Sequence, residues 1–440
     1  MPRHPFCRLC LAALLAFAGT ADAQTGALNS AVAAQVDRAY PTLEALYQDI
    51  HTHPEIAFEE RRTAAKLAAE MRALGFTVTE GVGKTGLVAI YENGAGSTVM
   101  VRTELDALPM EEKTGLPYAS RAKAMSNGRE SFVAHSCGHD VHMASWVGSA
   151  RTMVALKEHW RGRLMFVAQP AEEILQGAQA MVTDGLFTRF PKPDVALAIH
   201  TSGEVAFGRV QYRSGPAMSA ADTFEITFKG RGGHGSAPHN TIDPIAIAAH
   251  FVTDVQTIIS REKDPRDFGV ITVGAFQAGT VANIIPDQAV VRGTLRSYAP
   301  EVRRLLRDGV RRMATAAAAM SGAQEPEINI VEGVGSLIND EDVIRRVDAA
   351  LKSALGADHV EIARPQTPSE DFSVYATQGV PSLQMRIGVY PPDLVAAAAL
   401  PGGKRLASNH SPYFAPVPEP SIKTGIKVTT SALLALMGKN

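Results

Sequence analysis

Two short apolar runs constrain the fold of this chain more than any other feature. They are GRLMFVAQ at 162–169 and DVALAIH at 194–200, and both lie between segments with a helical pattern. Short, almost continuously apolar runs between helices are typical of parallel strands that are covered on both faces. This part of the chain is therefore predicted to be an α/β layer structure with a mixed, largely parallel sheet flanked by helices.

Residues before these runs add further elements to the same layered domain. A helix is predicted over 43–74, ending at Gly75. The segment GLVAIYENGAGSTVMVRT predicts two strands, the second at 97–103, joined as a hairpin through a turn at 93–94.

A different pattern begins near residue 213. Strand, helix, two strands, helix and strand follow one another, which is the βαββαβ order of a ferredoxin-like unit. We therefore predict a smaller inserted domain, a lid, at 213–327. The main domain would occupy 24–212 and 328–440, resuming with a helix near 340–355.

Composition and charge exclude some classes of partner. The 440 residues are 45% hydrophobic and 20% charged, which is typical of a globular protein. The formal net charge is −2, and no dense run of lysine and arginine occurs. Nucleic acid is therefore not an expected partner.

The first residues, MPRHPFCRLCLAALLAFAGTADAQ, resemble an export signal. Two arginines precede an apolar stretch at 9–18, and an A-x-A site at 21–23 precedes Gln24. The apolar stretch is short for a bilayer span. We predict a signal peptide at 1–23 and a periplasmic or secreted protein that does not associate with the membrane after cleavage. A membrane anchor or a buried N-terminal helix are the alternatives.

Cleavage there would leave a single cysteine. Of three cysteines two lie in the signal, so the mature chain keeps only Cys137, within HSCGHDVH at 135–142. It cannot form an intramolecular disulfide. A lone cysteine in an exported protein indicates a reactive thiol or a metal ligand.

Four places concentrate side chains that bind metals or transfer protons. They are Cys137 with His139, the adjacent Glu172 and Glu173, His200 directly after the strand predicted at 194–199, and His410. Each residue alone could be an inert core or surface residue. Two of the places lie at predicted strand ends, where open α/β sheets bind ligands. The strand at 97–103 also ends near Glu104 and Asp106. Their convergence on one edge favours a shared site.

Cysteine, histidine and glutamate are the ligands of zinc-like ions. A thiolate can bridge two ions, so five such ligands could hold a dinuclear centre of zinc, manganese, cobalt or nickel. Of the adjacent Glu172 and Glu173, one could bind metal while the other accepts a proton from water.

A series of motifs carries a family resemblance. The segments, in chain order, are HTHPEIAFEERRTA, VGKTGLVAIYENG, RTELDALP, HSCGHDVH, QPAEE, GGHGSAPH, DPIAIAAHFVTDVQTIISRE, NIIPD, GTLRSY, SEDFS and HSPYF. Over nearly the whole mature chain, the protein resembles the aminoacylase/carboxypeptidase-type dinuclear metallopeptidases. The branch is that of bacterial N-acyl-amino-acid amidohydrolases, hippurate hydrolases and plant auxin-conjugate hydrolases. The resemblance implies a catalytic domain with two divalent metal ions and an inserted lid domain, through which members of the family often form homodimers.

Position by position, the resemblance assigns roles to single residues. It implies the metal ligands Cys137, His139, Glu173, His200 and His410. It makes Glu172 the catalytic base. From the lid, His234 would contact the substrate and the tetrahedral intermediate, in its own or a neighbouring subunit, with Asn283 and Arg296 as further substrate contacts.

Two positions depart from the family pattern. The family usually has alanine where this chain has Ser136, and aspartate where it has Glu104. Both lie beside ligands rather than at them. They bear on fine tuning or on substrate preference.

A glycine pattern around His234 has another reading. Gly230, Gly232 and Gly235 match G-x-G-x-x-G after a strand, but Pro238 follows and no helix begins before residue 243. A dinucleotide site needs a helix directly after the glycines, so none is predicted. His234 could alternatively be a turn residue.

The resemblance implies a metal-dependent amidohydrolase that cleaves N-acyl amino acids or similar C-terminal amides. A dipeptidase or carboxypeptidase with the same mechanism is an alternative. A metal-free cysteine hydrolase would use Cys137 but leave Glu173, His200 and His410 without a role. A non-catalytic periplasmic protein that binds metal or peptide would have no use for Glu172.

Overall fold

The computed structural model describes residues 9–439, with side chains from residue 25 onward. The predicted signal, 1–23, therefore lies outside the residues whose side chains are described. Within the described chain, contacts define two compact units. The first takes the chain up to Ser214, then Asn339–Ala363 and the chain from Gln378, and the second is Gly215–Ile338 with Arg364–Thr377.

Helices and strands alternate through most of the described residues. The α-helices are α1 (Leu9–Thr52), α2 (Arg61–Ala73), α3 (His139–Ala155), α4 (Gly177–Thr183), α5 (Pro244–Asp254), α6 (Pro300–Met320), α7 (Glu341–Leu355), α8 (Ser373–Thr377), α9 (Pro392–Ala398) and α10 (Pro418–Met437). Strands β1 to β9 are Thr77–Val82, Gly86–Asn93, Thr98–Glu104, Lys123–Ser126, Arg129–Phe132, Gly162–Gln169, Val195–Ala206, Val210–Tyr212 and Gly215–Met218. Strands β10 to β18 are Ala220–Lys229, Gly233–His234, Gly269–Ala278, Ile284–Ile285, Gln288–Ser297, Glu327–Glu332, Leu337–Asn339, Val360–Ile362 and Ser382–Tyr390. Among the described residues, no helix combines the length and the apolar character that crossing a membrane requires.

An eight-stranded mixed sheet forms the centre of the first unit. Its strand order is β1-β2-β6-β3-β7-β18-β8-β17. The four central strands, β6, β3, β7 and β18, are parallel to one another. This arrangement confirms the predicted fold class, and β6 has the predicted bounds.

The predicted hairpin of β2 and β3 is wrong. Both strands exist, but β6 lies between them, antiparallel to β2 and parallel to β3, so that Phe166 pairs with Ala89 on one side and Val101 on the other. From Leu164 to Gln169 every residue of β6 is buried. A strand this apolar is most stable in the interior of the sheet, where neighbouring strands and helices cover it on all sides.

The helix predicted over 43–74 is also interrupted. α1 ends at Thr52 and α2 begins at Arg61. Between them Pro54 disfavours a helical conformation for the residue before it. Ile56 then forms an isolated parallel bridge with Ala107, just beyond β3. This tertiary pairing holds the segment in an extended conformation that the helical pattern alone does not reveal.

The main core lies where α1, α3 and α10 pack with the sheet of the first unit. Trp146 of α3 shows the contact directly. Its indole N–H donates to the carbonyl of Val101 at 3.0 Å, and its ring lies edge-on to Phe166 with centroids 5.2 Å apart. The start of α3 is thereby held beside the C-terminal ends of the central strands.

The second unit contains a four-stranded antiparallel sheet with the order β12-β14-β10-β15. Together with α5 and α6 it has the predicted βαββαβ order. A separate core fills it, in which the ring of Phe251 on α5 contacts those of Phe224 and Phe228 on β10.

The bounds of the second unit differ from the predicted 213–327. The predicted boundary would cut β15, which pairs with β10 from Asp222↔Glu332 to Thr227↔Glu327 and therefore belongs to the second unit. A bridge between Met218 and Gln366 adds residues 364–377, which are distant in sequence. Pairing between segments so far apart in the chain cannot be predicted from a local sequence pattern.

Candidate metal centre

The predicted ligands gather at one edge of the sheet in the first unit. β3 and β6 run parallel and end together, with Glu104 opposite Gln169. Glu172 and Glu173 follow Gln169 after two intervening residues. The carboxyl ends of parallel strands meet at one edge, so this edge collects the side chains that follow them.

The prediction that His200 stands at the end of its strand is wrong, because His200 lies inside β7. β7 continues to Ala206, because β18 pairs with it from Ala196 to Ser202 and, after a register shift, again at Ala206. On its other side the pairing with β3 stops at Ala198. His200 is therefore positioned by the end of the neighbouring strand rather than of its own.

A glycine turn presents Cys137 and His139 to this edge. Gly138 precedes α3 with a φ of 85°, in the left-handed region that favours glycine. A Cβ at this position would lie 2.6 Å from Thr201 Oγ1. Both the conformation and the close approach therefore require glycine between the two predicted ligands.

Two groups of three donors share Cys137. One consists of Cys137, His139 and His200, the other of Cys137, Glu173 and His410, and within each group the ligand atoms lie within 4.8 Å of one another. The Cys137 Sγ atom lies 3.6 Å from His200 Nε2. All five predicted ligands are thus brought together, and the Cys137 thiol belongs to both groups.

The carboxylates of Glu172 and Glu173 both lie near His139. Its Nε2 atom is 3.7 Å from Glu172 Oε2 and 3.9 Å from Glu173 Oε1. The second oxygen of Glu173 is 3.3 Å from His410 Nε2. His410 is the most exposed of the five and has a φ of 67°, a conformation rare outside glycine that is often found at functional sites.

The donor atoms fit divalent metal ions. Among the described residues, His139 Nε2 and Glu173 Oε1 are fully buried yet have no hydrogen-bond partner. Unpaired polar atoms are costly to bury, and two of them facing each other are explained by a cation. His139 Nδ1 donates to the carbonyl of Asp106 at 2.8 Å, which leaves Nε2 as the ligand atom.

The electrostatics of the cluster also favour cations. Burial and then His142 lower the pKa of His200 well below its usual range, and burial and then His139 lower the pKa of His410. Both imidazoles are therefore neutral near pH 7, the form that binds metal. Burial, followed by nearby Glu173, raises the pKa of the Cys137 thiol.

The pKa values of His139 and Glu173 are both raised when no cation is present. Burial by itself would lower the pKa of His139, but the contact with Asp106 and the neighbouring carboxylates raise it to about 10. Burial raises the pKa of Glu173 to about 7. Metal binding to this cluster should therefore release protons.

His142, Thr201 and Asn409 also belong to this site, although they were not predicted from the sequence. The Asn409 side-chain amide donates to the carbonyl of Cys137 at 2.9 Å. His142 lies three residues after His139 in α3, so helical spacing could have placed it on the same face. Thr201 and Asn409 carry no such signal.

The three predicted substrate contacts lie in the second unit. His234 is exposed in the short strand β11, where its Nδ1 atom accepts from the Ser236 N–H at 3.1 Å. Asn283 is exposed, and Arg296 on β14 donates to the Ser369 hydroxyl. Their roles toward substrate stay predictions.

Residues 100–435 match the peptidase family M20/M25/M40, which is more than half of the chain. The chain belongs to this family. It is accordingly a hydrolase of amide bonds, which confirms the predicted enzyme class and the family resemblance.

Individual relatives of this family member are similar over most of its length. An N-acetyl-L-cysteine deacetylase of Bacillus subtilis is 34% identical over 330 residues, 74% of this chain and 75% of the relative. A hippurate hydrolase of Campylobacter jejuni is 34% identical over 336 residues, 76% of this chain and 84% of the relative. Among solved structures, a dinuclear metal-binding M20 peptidase of Bacillus subtilis has a TM-score of 0.73 at 27% identity, covering 91% of this chain and 98% of that one.

Proposed function

We propose that this M20 family member is an amidohydrolase that cleaves the amide bond of N-acyl amino acids. The observation that carries the proposal is the position of Glu172. It is buried beside the predicted ligands His139 and Glu173, where a second carboxylate is needed for proton transfer rather than for binding metal. The names of the deacetylase and the hippurate hydrolase support this substrate class.

Cys137, His139, Glu173, His200 and His410 would hold two divalent ions, with zinc as the first candidate and manganese, cobalt or nickel as others. When bound, such ions polarise carbonyl groups and lower the pKa of water. Burial keeps the Cys137 thiol protonated without them, which disfavours the metal-free cysteine hydrolase.

Glu172 performs the proton transfers. It accepts a proton from the water molecule whose oxygen attacks the amide carbonyl carbon. When the carbon–nitrogen bond then breaks, the same carboxyl group delivers that proton to the leaving nitrogen. The products are a carboxylic acid and a free amino acid, and Glu172 returns to its starting state.

Charge favours a substrate with a carboxylate. Two divalent ions held by one thiolate and one carboxylate would retain a charge of about +2 on the ions and these ligands, because neutral histidines contribute none. That charge would favour binding of the carboxylate of an N-acyl amino acid. His234, Asn283 and Arg296 are proposed as further substrate contacts, with His234 also stabilising the tetrahedral intermediate.

A substrate panel tests the proposal. Purified protein, freed of metal and then supplied with zinc, manganese, cobalt or nickel, is assayed with N-acetyl and N-benzoyl amino acids. Matched N-acyl amines without a carboxylate are the controls, and dipeptides test the alternative peptidase. We expect the N-acyl amino acids to be cleaved fastest. Equal cleavage of the amines, or no cleavage of any amide, would contradict the proposal.

We also propose export, with cleavage before Gln24. The support is the sequence of residues 1–23 alone. N-terminal sequencing of the protein from the cell envelope of its host should begin at Gln24. A cytoplasmic protein that retains Met1 would contradict export.

A homodimer through the second unit is a further proposal. β12 is an edge strand of that unit's sheet, and it exposes Val270 and Phe276. Exposed apolar edge strands are prone to pair with another chain. Sedimentation analysis should give twice the mass of one chain, and Phe276→Lys should shift the protein to monomer. A monomeric wild-type protein would contradict this proposal.

A further inference from the structure

Glu104 has two partners, one for each carboxylate oxygen. It is fully buried at the end of β3, and its Oε1 atom pairs with the guanidinium of Arg102, two residues earlier on the same face of the strand. Its Oε2 atom lies 2.9 Å from His142 Nδ1. Arg102 thereby orients the carboxylate so that one oxygen remains for His142.

The hydrogen bonds of His142 determine its tautomer. Its Nε2 atom accepts from the backbone N–H of Thr201 at 2.8 Å, so the ring proton is on Nδ1 and is donated to Glu104. Although Glu104, His139 and His142 are close enough to bind an ion together, both nitrogens of His142 are engaged within the protein. His142 is therefore placed to orient Thr201 rather than to bind metal.

Thr201 contacts two of the predicted ligands. Its carbonyl accepts from His200 Nδ1 at 2.8 Å, which leaves His200 Nε2 directed at the Cys137 sulfur. Its hydroxyl donates to the carbonyl of Cys137, also at 2.8 Å. One threonine thus connects a ligand on β7 with the ligand turn before α3.

We propose that Glu104, His142 and Thr201 form a positioning relay that orients His200 and Cys137 and thereby sets the metal affinity of the site. The proposal rests on the metal centre proposed above. Partners behind the ligands commonly change metal affinity by about 10- to 100-fold when they are removed. Glu104, oriented by Arg102, is the first residue of this relay.

Three substitutions separate the parts of the relay. His142→Ala removes the acceptor of the Thr201 N–H. In His142→Gln the side-chain amide oxygen can still accept from that N–H, so this variant should recover part of the loss. Glu104→Gln keeps the shape but leaves one acceptor oxygen, which can serve Arg102 or His142 but not both.

The readouts are metal binding and the spectrum of the bound metal. Dissociation constants for Zn²⁺ and Co²⁺ are measured by competition with a chromophoric chelator, and Co²⁺ reports ligand geometry through its thiolate charge-transfer and d–d absorption. We expect His142→Ala and Glu104→Gln to weaken binding by about 10- to 100-fold and to change the absorption. His142→Gln should lie between His142→Ala and wild type.

A matched control removes a carboxylate hydrogen bond from the opposite end of the same strands. Asp194, directly before β7, accepts from the N–H of Thr98 at the start of β3 at 2.8 Å. Asp194→Ala, which leaves the Thr98 N–H without this acceptor, should lower the thermal stability of the metal-free protein while leaving metal affinity and the Co²⁺ spectrum unchanged.

Each outcome decides the proposal. If both His142→Ala and Glu104→Gln match wild type in affinity and spectrum, the two residues serve stability alone and the relay is wrong. If His142→Ala does not fold, the nearly isosteric Glu104→Gln decides. If the wild-type protein itself binds no divalent ion, the proposed metal centre falls, and the relay with it.

Discussion

Two adjacent glutamates with different proposed roles permit a paired test of the mechanism. Glu173 lies between two predicted ligands, 3.9 Å from His139 Nε2 and 3.3 Å from His410 Nε2, whereas Glu172 lies 3.7 Å from His139 Nε2. Glutamine substitution keeps the size of each side chain and removes its charge. We therefore expect Glu173→Gln to lose metal and Glu172→Gln to retain it.

The expected magnitudes follow from these positions. Loss of a general base lowers kcat by about 10²- to 10⁴-fold, which corresponds to about 3–5 kcal/mol of transition-state stabilisation. Glu172→Gln should show this loss with full metal content. Glu173→Gln keeps its backbone hydrogen bond to Asp106, at 2.9 Å, so its loss of activity should follow its loss of metal and not loss of the fold.

The assay measures metal stoichiometry by mass spectrometry and kcat on one N-acyl amino acid for both variants under the same conditions. Glu92→Gln is the control, because Glu92 is an exposed partner of Arg163 far along β2 from the site. It should match wild type in both measurements. Normal turnover by Glu172→Gln would refute the mechanism, and loss of metal from Glu172→Gln but not Glu173→Gln would reverse the two roles.

Three further predictions concern metal removal and stability. Dialysis against a strong chelator should abolish hydrolysis and a divalent transition metal should restore it, whereas full activity of the metal-free protein would favour Cys137 as a nucleophile. Burial would lower the pKa of His51, but hydrogen bonds with Asp140 and Glu112 raise it to about 10 from an ordinary 6.5. The contribution of protonated His51 to the free energy of unfolding should therefore be complete below pH 6.5 and lost as the pH rises through 10. In urea, the difference in unfolding free energy between wild type and His51→Gln should shrink over this range. Phe251→Ala should lower the free energy of unfolding of the second unit by about 3–5 kcal/mol in urea, because its ring is fully buried; a change below 1 kcal/mol would contradict this packing.

The sequence predicted correctly those helices and strands whose residue pattern is continuous over a single stretch of the chain. The apolar run at 162–169 became β6 with the predicted bounds, and the helix predicted near 340–355 is α7. The candidate ligands were also found from sequence, because cysteine, histidine and glutamate in one motif set are rarely placed together for packing. These features depend on side-chain chemistry and short-range periodicity, which the sequence contains directly.

The tertiary structure decided how these pieces meet. Nothing in the order of β2, β3 and β6 shows that β6 inserts between the other two, because that depends on which strand gains most from burial on both sides. The sequence likewise placed His200 at a strand end, whereas pairing with β18 extends the strand past it. Strand pairing is a long-range competition, and short windows do not contain it.

The surroundings of the ligands were the least predictable part. Glu104 was noted at the end of a predicted strand and as a departure from the family pattern, but it was given no role, and Thr201 was not singled out at all. Their roles depend on hydrogen bonds across 38 residues from Glu104 to His142 and 59 residues from His142 to Thr201. The sequence by itself determined which residues could bind metal, and the fold alone determined which backbone and side-chain groups hold them in place, because hydrogen bonds of this kind exist only after distant strands and helices have packed.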